Sequence, residues 1–219
     1  GSTMAFGSGN KADYTLRSAL MGVNNTLTGD QRNKSTNTML TGFHNTADKV
    51  SNTTVIGSEN TVTNSKNSLV MGDNREVKDA NHAVLIGSTD SKTTTSVNNA
   101  VAVGHNTNVT VEGGVALGSE SKATVAAGSV GYDPSTKAQS TNTDSTWKAT
   151  KSAISVGDAD NNITRQITSV AAGTKDTDAV NVAQLKKLQN QVNANGSTTP
   201  FSLVLRAQFQ SKDSCPSSI

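Results

Sequence analysis

One short motif recurs along this chain at a spacing that few folds can accommodate. Its clearest copy is Asn67-Ser68-Leu69-Val70-Met71-Gly72, in which a small residue and three apolar residues precede a glycine. Copies aligned on that glycine end at Gly7, Gly22, Gly42, Gly57, Gly72, Gly87, Gly104 and Gly118, with weaker copies at Gly131 and Gly157. The commonest step between successive glycines is 15 residues. Because helix-pair repeats need about 33 residues or more, this period predicts one coil of a β-solenoid.

Each copy of the motif predicts a short strand. Its apolar residues are too few for a helix but suit a strand buried on both faces, with Val70 on one face and Leu69 and Met71 on the other. The residue four positions before the glycine is small or hydroxylated in every copy, as Ser68 is. A coil is therefore predicted to contain this strand, a tight turn, a second strand and a longer loop. Ten coils stacked at about 4.8 Å each would give a rod of roughly 50 Å.

A second signature follows the glycine in the first four coils. An asparagine stands three residues later, at Asn10, Asn25, Asn45 and Asn60. Glycine adopts positive φ without strain, and asparagine tolerates the left-handed region while bonding the nearby backbone. We therefore predict positive φ at glycines such as Gly72 and Gly87 and a left-handed asparagine in each turn.

The composition indicates that such a coil needs neighbours. Hydrophobic residues make up 33% of the 219 residues and aromatic residues 3%, yet the net charge is only +2. This combination is atypical of disorder and fits a thin repeat that buries its apolar residues against other coils and partner chains. The near-neutral charge gives no indication of nucleic-acid binding. The single cysteine, Cys215, excludes an intrachain disulfide.

The register of the motif resembles that of a known family. Residues 67–72 and 99–104 resemble the head repeat of YadA-like trimeric autotransporter adhesins, with the consensus N-S-V-A-I-G-x-x-S-x-A, and residues 118–123 resemble its second half. The resemblance covers the chain from about Met4 to Asn195. It implies a mainly β fold in which each chain winds a left-handed parallel β-roll (a solenoid) and three rolls pack around a threefold axis. A neck and a short α-helical coiled coil are implied to follow the head.

The neck carries the more specific resemblance. Residues 165–173 (RQITSVAAG) and 177–185 (TDAVNVAQL) resemble the segment that, in this family, adapts the wide head to a narrow three-stranded coiled coil. We predict that Thr177 or Asp178 caps the helix that follows. The apolar seam of that helix stands at steps of three and four residues, at Leu185, Leu188 and Val192. This seam is too short to fix the number of chains, so the homotrimer is implied by the resemblance.

These patterns divide the chain into five segments. Residues 4–131 are predicted to form the head repeats, 132–152 an insert in the head, 153–184 the last strand and the neck, and 185–195 the start of the stalk. Residues 196–219 continue neither pattern and are interpreted as a vector-encoded or disordered tail of an excised fragment.

Three places interrupt the regular coils. The steps between glycines lengthen at 29–34 and at 88–96, which predicts two loops that bulge outward from the solenoid. The insert contains the only tryptophan, Trp147. We expect Trp147 to pack over the last coil, the alternative being a platform for a ligand.

The sequence offers no constellation of catalytic side chains. The three histidines, His44, His82 and His105, stand at different positions in their coils and therefore do not stack into a shared metal site. Glu59 and Glu120 share a position but lie four coils apart, at about 19 Å, which is too far for an acid–base pair. We predict no enzyme activity, no cofactor and no metal ion, and we assign no ligand-binding residues.

Three functions are compatible with the sequence. The resemblance implies a bacterial cell-surface adhesin head, held in the outer membrane by a C-terminal anchor that this fragment lacks. The implied partners are two further copies in a homotrimer, matrix proteins such as collagen, fibronectin or laminin, host surface receptors and other bacterial cells. A phage tail fibre is the alternative, because it also uses trimeric β-solenoids to bind receptors. An ice-binding solenoid would need Thr-x-Thr on every coil, whereas Thr93-Thr94-Thr95 is isolated.

Overall fold

The computed structural model describes residues 2–197, and the predictions for Cys215 and for the tail after residue 197 lie outside the described residues. In chain order, the strands are β1 (Thr3–Ser8), β2 (Lys11–Asp13), β3 (Thr15–Leu16), β4 (Ser18–Val23), β5 (Thr26–Thr28), β6 (Ser35–Thr36), β7 (Met39–Phe43), β8 (Thr46–Ser51), β9 (Thr54–Ser58), β10 (Thr61–Lys66), β11 (Leu69–Asp73), β12 (Arg75–Lys78), β13 (Val84–Ile86), β14 (Thr93–Thr95), β15 (Val101–Val103), β16 (Asn108–Val109), β17 (Val115–Leu117), β18 (Lys122–Ala123), β19 (Tyr132–Asp133), β20 (Ala138–Gln139) and β21 (Ile154–Ser155). A 3-10 turn spans Ala159–Asn161, and helix α1 spans Val182–Ser197. The chain divides into two compact units, of which the first ends at Arg165 and the second begins at Gln166.

The first unit is a parallel β-solenoid, as predicted. One sheet, the front sheet, has the strand order β1-β4-β7-β9-β11-β13-β15-β17-β21. The second sheet, the back sheet, has the order β14-β12-β10-β8-β5-β2, with β3 and β6 paired beside it. The motif sets the register because its glycines pair with one another: Gly22 lies between Gly7 and Gly42, and Gly57 lies between Gly42 and Gly72.

The weak copy of the motif at Gly131 is not part of this stack. β17 pairs directly with β21, so the strand before Gly157 follows the strand before Gly118. Val130 instead pairs antiparallel with Lys148, which closes the insert into a separate loop that also contains the antiparallel pair β19 and β20. The front sheet therefore has nine strands, one fewer than the ten predicted coils.

Within the insert, Trp147 is half-buried. Its carbonyl accepts the Gly131 amide at 2.7 Å, and its ring lies beside the same glycine. Packing of Trp147 over the last coil stays a prediction.

The core is thin, and each coil contributes only a few inward-pointing side chains to it. Alternate residues of the strands point inward and are buried, and the larger ones are Leu20, Leu27, Leu40, Val55, Val62, Val70, Val77 and Leu85. Their neighbours on the front strands, such as Met71, point outward and stay half-buried or exposed. From the sequence, partner chains are expected to bury the outer face, and this burial stays a prediction.

The turn after most of these glycines differs from the predicted one. The glycines do have positive φ, with +150° at Gly72 and +125° at Gly87. The left-handed residue, however, is the second after the glycine, such as His44 at +55° or Glu59 at +59°. Because that residue reverses the chain, the asparagine at the third position points inward instead, and Asn45 is fully buried.

In the second unit, the cap of α1 lies later than predicted. Asn181 caps the helix, since its Oδ1 accepts the Gln184 amide at 3.1 Å and Gln184 Oε1 accepts the Asn181 amide at 3.2 Å. This reciprocal pair is a capping box. Thr177 and Asp178 lie before it, and the Asp178 carboxylate accepts two backbone amides of its own loop at 2.9 and 3.0 Å. Those two bonds lower the pKa of Asp178.

Candidate functional site

A ladder of buried amides runs along the inside of the first coils. The glycine carbonyls face this interior, where each needs a donor. The asparagine of the preceding coil supplies it: Asn25 Nδ2 donates to Gly42 O at 2.9 Å, and Asn45 Nδ2 donates to Gly57 O at 2.7 Å. The asparagines also bond each other, because Asn45 Nδ2 donates to Asn25 Oδ1 at 3.0 Å. A slipped register would leave these buried groups unpaired, so the ladder fixes the alignment of the coils.

Arg75 takes the asparagine position in the next coil and is fully buried. Its guanidinium donates to Gly87 O at 2.9 Å, to Gly104 O at 3.1 Å and to Thr107 O at 2.6 Å. One side chain thereby serves two coils in which the asparagine position holds Asp90 and Thr107. Among the described residues, no carboxylate forms an ion pair with Arg75. Burial lowers the pKa of its guanidinium.

Neither the ladder nor its arginine was predicted from the sequence. The visible signal was the residue three after each glycine from Gly7 to Gly118, which is asparagine four times, then Arg75, and then Asp90, Thr107 and Ser121. A buried arginine is recognisable only once the fold places that column inside the solenoid.

The outward face of the front sheet is apolar and uncovered in the single chain. Two columns of side chains flank the buried one, at the first and third positions before each glycine. Their most exposed large members, between 43 and 66% exposed, are Met4, Phe6, Met21, Met39, Leu117 and Ile154. A contiguous apolar stripe of this extent marks an interface between proteins. Since it follows the whole sheet, its partner must also run along the whole sheet.

The outward face of the back sheet is polar. Its residues form two columns in register, with Lys11, Thr26, Thr46, Thr61, Glu76 and Thr94 in one and Asp13, Thr28, Asp48, Thr63 and Lys78 in the other. Thr28 donates to Asp48 Oδ1 at 2.8 Å, and Thr94 donates to Glu76 Oε1 at 2.7 Å. This hydroxyl-rich surface can form hydrogen bonds with an extended polar ligand that follows the repeat.

Two of the histidines connect neighbouring coils on the surface. His44 Nδ1 lies 2.8 Å from Glu59 Oε2, and His105 Nε2 lies 2.9 Å from Asp90 Oδ1. The Asn106 side chain also donates to Asp90, and together with His105 it holds the pKa of this carboxyl below its usual value. The structure does not bring the histidines together. Across residues 2–197, no three His, Cys, Asp or Glu side chains cluster in a way that could hold a metal ion.

Both longer loops lie on the surface and are anchored by ion pairs. In 29–34, Asp30 accepts two backbone amides of the loop and lies 3.6 Å from Lys49 Nζ. In 88–96, Lys92 lies 3.1 Å from a glutamate of the neighbouring back strand. These contacts hold each loop against the coil beside it.

In the second unit, the apolar seam of α1 is uncovered. Leu185, Leu188 and Val192 are 62, 55 and 60% exposed. A helix with such a stripe requires partner helices to bury it. In the described part of the chain, no helix is long and apolar enough to cross a lipid bilayer.

Comparisons with known proteins point to one family. Residues 166–199 match a family model described as the coiled stalk of trimeric autotransporter adhesin. The autotransporter adhesin BadA of Bartonella henselae is 50% identical over 76 residues, which are 35% of this chain and 2% of that protein. The trimeric autotransporter adhesin AtaA of Acinetobacter sp. (strain Tol 5) is 51% identical over 87 residues, which are 38% of this chain and 2% of that protein. The chain therefore spans only a small part of each relative.

Among solved structures, the crystal structure of the collagen-binding domain of Yersinia adhesin YadA is similar to this chain. The match covers 82% of this chain and 86% of that one, with 23% sequence identity and a TM-score of 0.44.

Proposed function

We propose that this chain, a segment of the trimeric autotransporter adhesin family with YadA-like head repeats, forms the head, neck and first stalk turns of a homotrimeric adhesin on a bacterial surface. The observation that carries the proposal is the apolar outward face of the front sheet, which extends from Met4 and Phe6 in the first coil to Ile154 in the last. Packing three copies by this face buries it along its whole length. Burial contributes about 25 cal/mol per Å² of apolar surface, so a stripe of this extent stabilises an assembly.

The neck and the helix support three chains in parallel. The stalk match at 166–199 is to a trimeric family, and the seam at Leu185, Leu188 and Val192 needs partner helices. The front face and the helix seam belong to the same chain, so the same partner chains can bury both apolar surfaces.

We assign ligand binding to the polar back sheet, because it stays available when the front faces pack together. Its hydroxyls recur about every 4.8 Å along each chain, and three chains multiply them. Weak contacts repeated in this way bind tightly through avidity without a deep pocket. We propose that the ligand is an extended matrix protein such as collagen, fibronectin or laminin, a host receptor, or another bacterial cell. The role is attachment rather than catalysis, with an outer-membrane anchor supplied by a region outside this segment.

The other functions considered for a β-solenoid are less well supported. A phage tail fibre shares the solenoid, but the match to an adhesin stalk favours attachment of a bacterial cell. An ice-binding face needs unbroken columns of threonine, and here Asp48 and Lys78 interrupt the column that contains Thr28 and Thr63.

Two matched variants test the proposal. Met71→Lys places a charge on the front face, and Thr46→Lys combined with Thr61→Lys places charges on the back face. We expect Met71→Lys to convert trimer to smaller species in analytical ultracentrifugation, because a buried unpaired charge opposes packing. The back-face variant should stay trimeric and bind immobilised collagen, fibronectin or laminin more weakly. A wild-type chain that sediments as a stable folded monomer would refute the assembly, and undiminished binding by the back-face variant would refute the assigned surface.

A further inference from the structure

A third outward column of the front sheet is polar except at one level. It consists of the residues that follow the motif glycines, which pair in register across β1 to β11: Ser8, Val23, Phe43, Ser58 and Asp73. Val23 and Phe43 are neighbours in this column and are 42 and 47% exposed. These two side chains form an apolar knob on the side of the sheet where the strands end.

The knob is held from the adjacent turn. The ring centroid of Phe43 lies 5.8 Å from that of His44. His44 is itself bonded to the next coil, because its Nδ1 lies 2.8 Å from Glu59 Oε2. A side chain whose orientation is restricted before binding loses less conformational entropy when a partner buries it. Phe43 therefore has the properties of an aromatic anchor residue.

A groove lies on the opposite side of the same sheet, where the strands begin. Its volume is about 560 Å³. Its lining includes Met4, Arg17, Ala19, Asn37, Met39 and Thr54. Ala19 stands between Met4 and Met39 in one column, so a short side chain separates two long ones and leaves a notch. The Arg17 Nε donates to Asn37 Oδ1 at 2.8 Å, which holds the guanidinium at the wall of the groove. An apolar floor with a fixed cation beside it suits an aromatic ring.

Threefold packing of the front sheets brings the knob of one chain to the groove of the next. Contacts around a threefold axis are heterologous, so two different surfaces of each chain meet. When three sheets face the axis, the side where strands end in one copy adjoins the side where strands begin in its neighbour. Rotation about the axis leaves the height along the rod unchanged. Phe43 of one copy therefore comes level with Met39 of the next, which belongs to the same strand, β7, and lies beside the notch at Ala19.

We propose that Phe43 and Val23 of each chain insert into the groove at Ala19 of the next chain, with the Arg17 guanidinium against the Phe43 ring. This contact rests on the proposed homotrimer and adds specificity to it. The apolar columns of the front face repeat in every coil, so they also accommodate copies displaced along the rod by one coil, about 4.8 Å. The knob occurs at one level in β1 to β11, and in a displaced trimer it leaves the notch. The contact thus sets the axial alignment of the three chains and disfavours assembly with heads that lack the knob or the groove.

Exchanging the large and the small side chain tests the contact. Phe43→Ala removes the knob, and Ala19→Phe fills the notch and excludes the knob. At a fixed urea concentration, each substitution alone should raise the dissociation constant of the trimer by about tenfold or more. The two substitutions combined should restore most of the wild-type affinity, because a ring at position 19 then takes the place of the ring at position 43. Sedimentation equilibrium over a urea series compares the four proteins.

Restoration of affinity can arise only between chains. Ala19 pairs with Met39, and Phe43 is four residues further along that strand, so the two exchanged positions lie about 13 Å apart within one chain. Ser58→Ala, in the same column as Phe43, is the matched control and should dissociate as wild type does. Circular dichroism under the same conditions should show equal β content in all variants.

Photocrosslinking provides a readout that does not depend on stability. Benzoylphenylalanine in place of Phe43 should give covalent dimers and trimers on a denaturing gel after illumination. Mass spectrometry should place the link at Met4, Ala19 or Met39 of the other chain. Benzoylphenylalanine in place of Asp73, two coils further along the same column, should not link to these residues.

The outcomes separate this contact from the trimer itself. A trimeric wild type whose Phe43→Ala and Ala19→Phe variants dissociate as it does would overturn the contact and leave the trimer standing. Additive losses in the double variant, or photoproducts from position 43 that contain none of the three groove residues, would overturn it as well. A monomeric wild type would refute the trimer and the contact together.

Discussion

Replacing Arg75 by methionine tests whether the solenoid interior depends on one buried cation. Arg75→Met keeps an unbranched but shorter side chain and removes the donors to Gly87 O, Gly104 O and Thr107 O. Gly104 O keeps the bond from the Thr107 hydroxyl at 2.8 Å, so two carbonyls lose their side-chain donor. An unsatisfied buried acceptor costs about 1–3 kcal/mol, which gives about 2–6 kcal/mol per chain. Removing a buried cation also relieves its desolvation cost, so we expect the free energy of unfolding to fall by a net amount of about 2 kcal/mol per chain.

The loss can be measured by urea unfolding, followed by far-ultraviolet circular dichroism at equal protein concentrations. Arg75→Asn is the matched control, because an asparagine here should reach Gly87 O alone, as Asn60 reaches Gly72 O at 2.7 Å. Its stability should lie between those of wild type and Arg75→Met. If Arg75→Met is as stable as wild type, the inward carbonyls do not need the guanidinium and the reasoning is refuted.

Three further outcomes are expected. Gly57→Ala should destabilise the fold well beyond the roughly 1 kcal/mol that a left-handed alanine costs, because its Cβ would overlap the glycine carbonyl of the next coil. Gly113 also has positive φ, but the space around it is open, so Gly113→Ala should cost only that backbone penalty. Thermal melts of the two variants compare these costs. Asn181→Ala should cost the helix about 1 kcal/mol, whereas Asp178→Ala should change the helical circular dichroism signal less. The pKa of Asp90 is lowered in the fold, so its stabilisation is present above the unfolded pKa and is lost as the pH falls through the folded pKa. Between about pH 5 and pH 3 the Tm of wild type should therefore fall further than that of Asp90→Asn.

The period of the sequence predicted the fold because a solenoid repeats one local environment. A parallel stack places equivalent residues above one another, so a recurrence along the chain becomes a column in space. The predicted alignment of the glycines is the observed strand register, as in the pairs Gly7 with Gly22 and Gly57 with Gly72. The inward apolar column followed from the same alternation, since Val70 is buried between two outward neighbours.

Features decided by competition between local partners could not be predicted in this way. Asp178 has the residue type and the approximate position of a helix cap, but its carboxylate bonds amides of its own loop, and Asn181 caps instead. The motif at Gly131 has suitable local residues, yet Val130 pairs with Lys148 because the insert closes on itself. In both cases the group that forms the hydrogen bond lies nearby in the folded loop. Such a group does not recur at a fixed period, so the sequence pattern does not indicate it.

The position of a loop within its coil decides whether the buried ladder continues. The 29–34 loop comes after the second strand, so the asparagines on either side of it keep their places and bond each other at 3.0 Å. The 88–96 loop begins directly after the glycine, and the residue in the asparagine position, Asp90, lies on the surface instead. Gly104 O then lacks an asparagine donor from the coil before it, and Arg75 reaches it from two coils away at 3.1 Å. The Thr107 hydroxyl also donates to Gly104 O, at 2.8 Å, so Arg75 and Thr107 together replace the missing asparagine where the loop leaves the solenoid.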